Sequence, residues 1–101
     1  MSLELPKPIA AFLAGALAEC FADDAVVRDE GQTIEGLAAI QQWKAETKRK
    51  YQHTIKPLDC AEKDGKTVVT CRLTGNFPGS PLDLRFIFSV EAGKIASLEI
   101  H

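Results

Sequence analysis

Hydrophobic positions change their spacing midway along this chain. Between Pro8 and Phe21, the residues Ile9, Phe12, Leu13, Ala16, Leu17, Cys20 and Phe21 recur at steps of three and four, which predicts one amphipathic helix. Pro8 suits the first turn of that helix, where its missing N–H would have no partner anyway. Gly15 interrupts the stripe at a cost of about 1 kcal/mol relative to Ala. Asp23-Asp24 is expected to end the helix and open a turn, because short carboxylates bond nearby backbone amides. Ala25-Val26-Val27-Arg28 predicts a short strand, and Gly31 a bend. A second helix is expected from about Gly36 to Tyr51, with Ile40, Trp43, Thr47 and Tyr51 along one side. On the same helix Glu46 and Lys50 stand in the favourable i,i+4 order.

Beyond that helix the period shortens to two, and strands are predicted near 53–62, 66–77, 82–91 and 94–101. Asp64-Gly65 signals a two-residue hairpin, which sets Cys60 opposite Val69 and Leu58 opposite Cys71. Pro57 within a strand predicts an edge position or a bulge. Pro-Gly-Ser-Pro at 78–81 predicts the next turn, pairing Phe77 with Leu82, Leu73 with Phe86 and Cys71 with Phe88. Val69, Cys71 and Leu73 then share an apolar face with Leu84, Phe86, Phe88 and Val90. Thr70, Arg72, Thr74, Asp83, Arg85, Ile87 and Ser89 take the opposite face, toward water or a second subunit. At the last hairpin, a two-residue loop at Ala92-Gly93 would bury Glu99 against Phe86. A three-residue loop with a bulge at Gly93 or its neighbour brings Leu98 and Ile100 inward instead, and is the expected register.

A length of 101 residues makes one domain, 1–101, without repeats or linkers. A net charge of −2 argues against a general nucleic-acid binder. The one basic cluster, Lys48-Arg49-Lys50, falls in the last turn of the second helix, where cations meet the negative end of its dipole. No apolar run approaches the roughly 20 residues that span a bilayer, and MSLELPKP lacks the basic start and apolar core of a signal peptide. A cytoplasmic location is therefore expected. The three cysteines, Cys20, Cys60 and Cys71, are odd in number and lack metal-ligand spacing, so buried free thiols are expected. In the predicted register Cys60 and Cys71 are diagonal neighbours, which does not suit a disulfide. Phosphate loops, dinucleotide fingerprints and metal-ligand clusters are not found, and no cofactor is expected. Gly79-Ser80-Pro81 lacks the flanking glycines of a nucleophile elbow.

Residues Phe21 to Trp43, FADDAVVRDEGQTIEGLAAIQQW, resemble the SnoaL-like and ketosteroid-isomerase-like branch of the nuclear transport factor 2-like (NTF2-like) superfamily. The likeness continues through the strand-rich half. It implies an α+β fold in which helices pack on a curved, mostly antiparallel sheet, forming a cone around a small-molecule pocket. FADDAVVRD is similar to the isomerase segment that bears the catalytic aspartate, so the resemblance gives Asp29 the general-base position. A carboxylate at an apolar cavity mouth loses hydration and can shuttle a proton near neutral pH. The structural alternative is that Asp29 only bonds backbone amides around Gly31.

The isomerase also uses a Tyr hydroxyl and a protonated Asp. Here the first helix has no Tyr, and the inward positions of LDLRFIF are Leu84, Phe86 and Phe88. Steroid isomerisation is therefore not expected, while another isomerisation, a cyclisation or a dehydration in the same cavity stays open. Trp43, Tyr51, His53, Cys71, Leu84, Phe86 and Phe88 are the candidate ligand contacts, with a small apolar molecule as partner. Trp43 has a core role as its alternative, and Tyr51 and His53 a half-exposed corner. Glu30 is set aside because adjacent strand residues point to opposite sides, and His101 is expected to be solvated. The family tendency to dimerise implies a homodimer through the outer sheet face, with Arg72, Thr74, Arg85 and Ile87 at the interface. A non-catalytic ligand-binding or dimerisation module is the alternative function.

Overall fold

The computed structural model describes residues 5–14, 20–29, 31–51, 54–75 and 78–101. Helix α1 (Lys7–Leu13) leads into strands β1 (Phe21–Asp29) and β2 (Gln32–Glu35), then helix α2 (Leu37–Tyr51). Four strands follow: β3 (Thr54–Lys63), β4 (Lys66–Thr74), β5 (Leu82–Glu91) and β6 (Lys94–Ile100). The strands form a six-stranded sheet in the order β2-β1-β6-β5-β4-β3. β1 joins β6 in parallel, and the other pairings are antiparallel. Both helices pack on one face of this open sheet, as the α+β expectation requires.

Alternation decides which side chains the helices meet. Ala25, Val27, Val69, Cys71, Phe86, Phe88, Ile95 and Leu98 point inward and meet Ile9 and Phe12 of α1 and Ile40 of α2, all at most 2% exposed. Leu73, Leu84 and Val90 pack against the same cluster. Phe12 is its hub, with its ring edge-on to Phe21 at 5.5 Å and to Phe88 at 5.8 Å, an arrangement the ring quadrupoles favour. Lys44 of α2 places its ammonium 4.3 Å from the Phe12 ring centroid, tying the helices together.

The first helix is shorter than its stripe suggested. α1 ends at Leu13, and the expectations for Gly15, Ala16 and Leu17 lie outside the described residues. Phe21 belongs to β1, because the sheet captures it: the Ile95 N–H donates to the Cys20 carbonyl at 2.7 Å, and Phe21 pairs with Ile95. Asp23 and Asp24 accordingly lie within β1 instead of ending a helix. They are exposed, in a bulged stretch between the Phe21–Ile95 and Val26–Ser97 pairs. Strand β2 is one that the spacing of hydrophobic positions does not predict. Asp29 pairs with Gln32 across a tight turn in which Gly31 adopts φ 77°, a conformation glycine takes without steric cost.

In the meander, Cys60 faces Val69 as expected, but Cys71 faces Pro57, and the ladder shifts between Pro57 and Asp59. Leu58 is the extra residue, so Pro57 brings both an edge strand and a bulge. The β4–β5 register also differs. Cys71 faces Leu84 and Val69 faces Phe86, because the strands stop at Thr74 and resume only at Leu82. A hydrogen bond from the Gly75 N–H to the Ser80 hydroxyl oxygen (2.9 Å) closes that longer loop. The slip is even-numbered in effect, so every side chain keeps its face; Phe77 lies outside the described residues. At the last hairpin the loop is the two-residue one, with Glu91 opposite Lys94, and the bulge comes later, between Ser89 and Val90 on the β5 side. Ala96 is the extra residue. The bulge still sets Leu98 opposite Phe88 and Ile100 opposite Phe86, the inward placement the hydrophobic pattern demanded.

Candidate functional site

Parallel pairing of β1 with β6 brings Asp29, the last residue of β1, beside the end of β6. Asp29 has the inward parity of Ala25 and Val27, so its carboxylate is turned toward the helical layer. There α2 meets it: Trp43 Nε1–H donates to Asp29 Oδ2 at 3.2 Å in a half-buried hydrogen bond. Trp43 sits one turn beyond the buried Ile40, and that packing holds its indole over the strand end. The helix begins after Gly36, whose φ of 89° and N–H bond to the Ala25 carbonyl (2.9 Å) fix the chain's direction from β2 into α2.

An open concavity of about 420 Å³ lies against Asp29. Its walls are Arg28, Asp29, Gly31, Gln32, Thr33, Glu99, Ile100 and His101. Arg28 pairs with Thr33 on one side and Glu99 on the other, and His101 Nε2 lies 2.7 Å from Glu99 Oε1. The wall is therefore mostly polar, with Ile100 as its apolar patch. A helix-borne donor fixes one oxygen of the carboxylate of a residue that also lines the open concavity, and a fixed carboxylate can serve as a proton acceptor.

The other candidate contacts lie elsewhere. Cys71, Phe86 and Phe88 are in the core, and Leu84 is half-buried against it. Tyr51 closes α2, but its side chain, like His53 and Glu30, lies outside the described residues. Burial pushes the Cys71 thiol up to about 12. The Cys60 thiol is also raised, by burial first and then by Asp59 and Glu62, so neither thiol is primed as a nucleophile. All three cysteines are free. Among the described residues no group of three His, Cys, Asp or Glu could hold a metal ion, and no helix is long and apolar enough to cross a membrane.

Sequence reasoning singled out Asp29 and Trp43, which the structure joins by a hydrogen bond, and did not single out the other residues around the concavity. Arg28, Glu99, Ile100 and His101 meet there only through a parallel pairing between strands at opposite ends of the chain, which no local pattern reveals. A signal for Gln32 and Thr33 did exist: QTIE between two glycines is a short strand after a tight turn.

The sequence pattern of the SnoaL-like domain matches residues 10–98, and the chain belongs to that family. A candidate polyketide cyclase from Sinorhizobium meliloti is 36% identical, superposes with a TM-score of 0.90, and is matched over 96% of this chain and 95% of its own. A protein of ketosteroid isomerase-like fold from Catenulispora acidiphila, solved with trimethylamine, has 18% identity and a TM-score of 0.79 over 97% of this chain and 86% of its own. An NTF2-like protein from Cytophaga hutchinsonii, 11% identical, reaches 0.71 over 100% and 91%. These last two share the fold. No curated protein matches the chain.

Proposed function

We propose that this SnoaL-like protein binds a small carbonyl compound in the concavity beside Asp29 and acts on it by general-base proton transfer, in a cofactor-independent isomerisation, cyclisation or dehydration. One observation supports the reading: Asp29 is among the residues that line the concavity, and the Trp43 indole holds its carboxylate. The kinship with a candidate polyketide cyclase supports the same chemistry. Asp29 takes a proton from carbon next to a carbonyl, and Trp43 keeps the carboxylate in place. The mostly polar wall asks for a ligand whose oxygen-bearing end is bound there, with any apolar body against Ile100. The working unit is a homodimer formed through the outer sheet face around Arg72, Thr74, Arg85 and Ile87, in the cytoplasm. Sedimentation showing only monomer at micromolar concentration would remove the dimer from this reading.

The test is the opening of a nitrobenzisoxazole, in which a base removes the ring C–H proton, the N–O bond breaks and a coloured phenolate leaves. Asp29→Asn should lower the rate by about 10²–10⁴-fold, the range of a positioned general base, without weakening ligand binding. An unchanged rate would refute the role of Asp29. A second reading, a non-catalytic binding module, draws support from the filled inner face, where Cys71, Phe86 and Phe88 leave no room among themselves. It requires binding with no turnover in the wild type.

A further inference from the structure

We infer that the outer side of the concavity is a second binding site, for a small oxyanion (a carboxylate or a phosphate), with Arg28 as its anchor and the Thr33 hydroxyl beside it. This site is separate from the Asp29 carboxylate, and it stands whether or not Asp29 acts as a base.

Strand parity divides the concavity in two. Val27 and Leu98 are buried against the helices, and Asp29 and Ile100 share their parity on β1 and β6. Arg28 and Glu99 are paired residues of the opposite parity, so their side chains leave the sheet on its outer face. Thr33 pairs with Arg28 and takes the same face. His101 reaches that face as well, since its ring meets the Glu99 carboxylate. All four residues line the concavity. The Asp29 carboxylate, by contrast, is held on the helical side by the Trp43 indole. A molecule small enough to sit on the outer side therefore meets Arg28 and Thr33 without meeting that carboxylate.

The charges in the wall say what that molecule carries. Glu99 stands across from Arg28 in the parallel ladder, yet its Oε1 lies 2.7 Å from His101 Nε2; a carboxylate only accepts, so the ring nitrogen donates. Both carboxylates of the wall thus have partners, Asp29 in Trp43 and Glu99 in His101. Among the described residues the Arg28 guanidinium is in no ion pair and no side-chain hydrogen bond. Its planar fork of N–H donors matches two oxygens of a carboxylate or a phosphate. An exposed arginine by itself is merely solvated. Here Thr33 adds a hydroxyl from the facing strand, because directly paired residues have Cβ atoms about 5 Å apart, and the concavity encloses both donors. An anion is the one charge type for which this wall holds an uncommitted partner.

The test uses the full chain, uniformly ¹⁵N-labelled, titrated with inorganic phosphate and with propionate against sodium chloride of the same ionic strength. Either probe should move the Arg28 Nε–H resonance and the Thr33 amide saturably. The tighter of the two tells a phosphate-bearing ligand from a carboxylic acid. Followed at the Thr33 amide, Arg28→Gln should weaken binding at least about tenfold, the loss of a charge-assisted pair of hydrogen bonds. Glu99→Gln should tighten it about two- to threefold, the size of a repulsion between neighbouring charges in water. Asp29→Asn should not weaken it. No shift beyond the chloride control with either probe, unchanged affinity in Arg28→Gln, or a loss in Asp29→Asn overturns the inference. None of these outcomes touches the role of Asp29 as a base, which the ring-opening assay decides by itself.

Discussion

Replacing Trp43 with Phe removes the donor that α2 presents to Asp29 while keeping an aromatic ring in place. The bond is 3.2 Å long, half-buried, and joins residues 14 apart in sequence, so it ties the helix to the end of β1. Hydrogen bonds to charged groups contribute roughly 1.5–3 kcal/mol net; partial exposure puts this one at the lower end, about 1.5 kcal/mol. The single variant also loses ring contacts, so its stability alone cannot measure the bond. A cycle of wild type, Trp43→Phe, Asp29→Ala and the double variant isolates it. Unfolding in urea should be followed by far-ultraviolet circular dichroism, because Trp43 is the only tryptophan and two of the four proteins lack it. With an m-value of about 1.3 kcal/mol/M, a coupling of that size is equivalent to roughly 1 M in the midpoint. Additivity within about 0.3 kcal/mol would show that the indole does not hold the carboxylate.

Three further outcomes follow from the same structure. Phe88→Ala should cost about 3–5 kcal/mol in urea unfolding, because Phe88 is fully buried and its ring meets Phe12 at 5.8 Å. At about pH 8 a disulfide reagent should leave Cys20 and Cys71 untouched in the folded protein and modify all three thiols once it unfolds, since Cys71 titrates only near 12. The third concerns the exposed cross-strand pair of Arg72 Nε and Asp83 Oδ1 at 2.9 Å. The Arg72 hydrogen bond holds Asp83 below the usual carboxylate range. Its contribution is therefore complete above that range and is lost as pH falls through the lowered value. The stability difference between wild type and Asp83→Asn should shrink on acidification, and also in about 1 M salt, where the screening length is about 3 Å; a difference that ignores both would contradict the ion pair.

Much of the architecture is legible in the spacing of apolar residues. The faces of β4 and β5 follow from alternation alone, and they survive a register slip because an even slip preserves parity. The demand that Leu98 and Ile100 lie inward correctly called for a bulge near the last hairpin, although the backbone places the extra residue at Ala96 instead of in the turn. The failures have a common cause. Cys20 and Phe21 continue a helical stripe arithmetically, yet the sheet outbids the helix there, through Ile95. Local periodicity contains no information about a partner strand more than 70 residues away, since Phe21 pairs with Ile95. The site shares that limit: Asp29 is visible within its own segment, whereas the wall opposite it comes from β6 and exists only after the parallel pair has formed.

The central claim, that ligand binds where Trp43 holds Asp29, is tested most directly by the indole N–H resonance of the uniformly ¹⁵N-labelled protein, which is unique because the chain has one tryptophan. Titration with β-tetralone should move that peak saturably, and Asp29→Asn should change its starting position in the absence of ligand. A peak that stays still while backbone amides elsewhere respond to the ketone would place the binding site away from Asp29 and contradict the account.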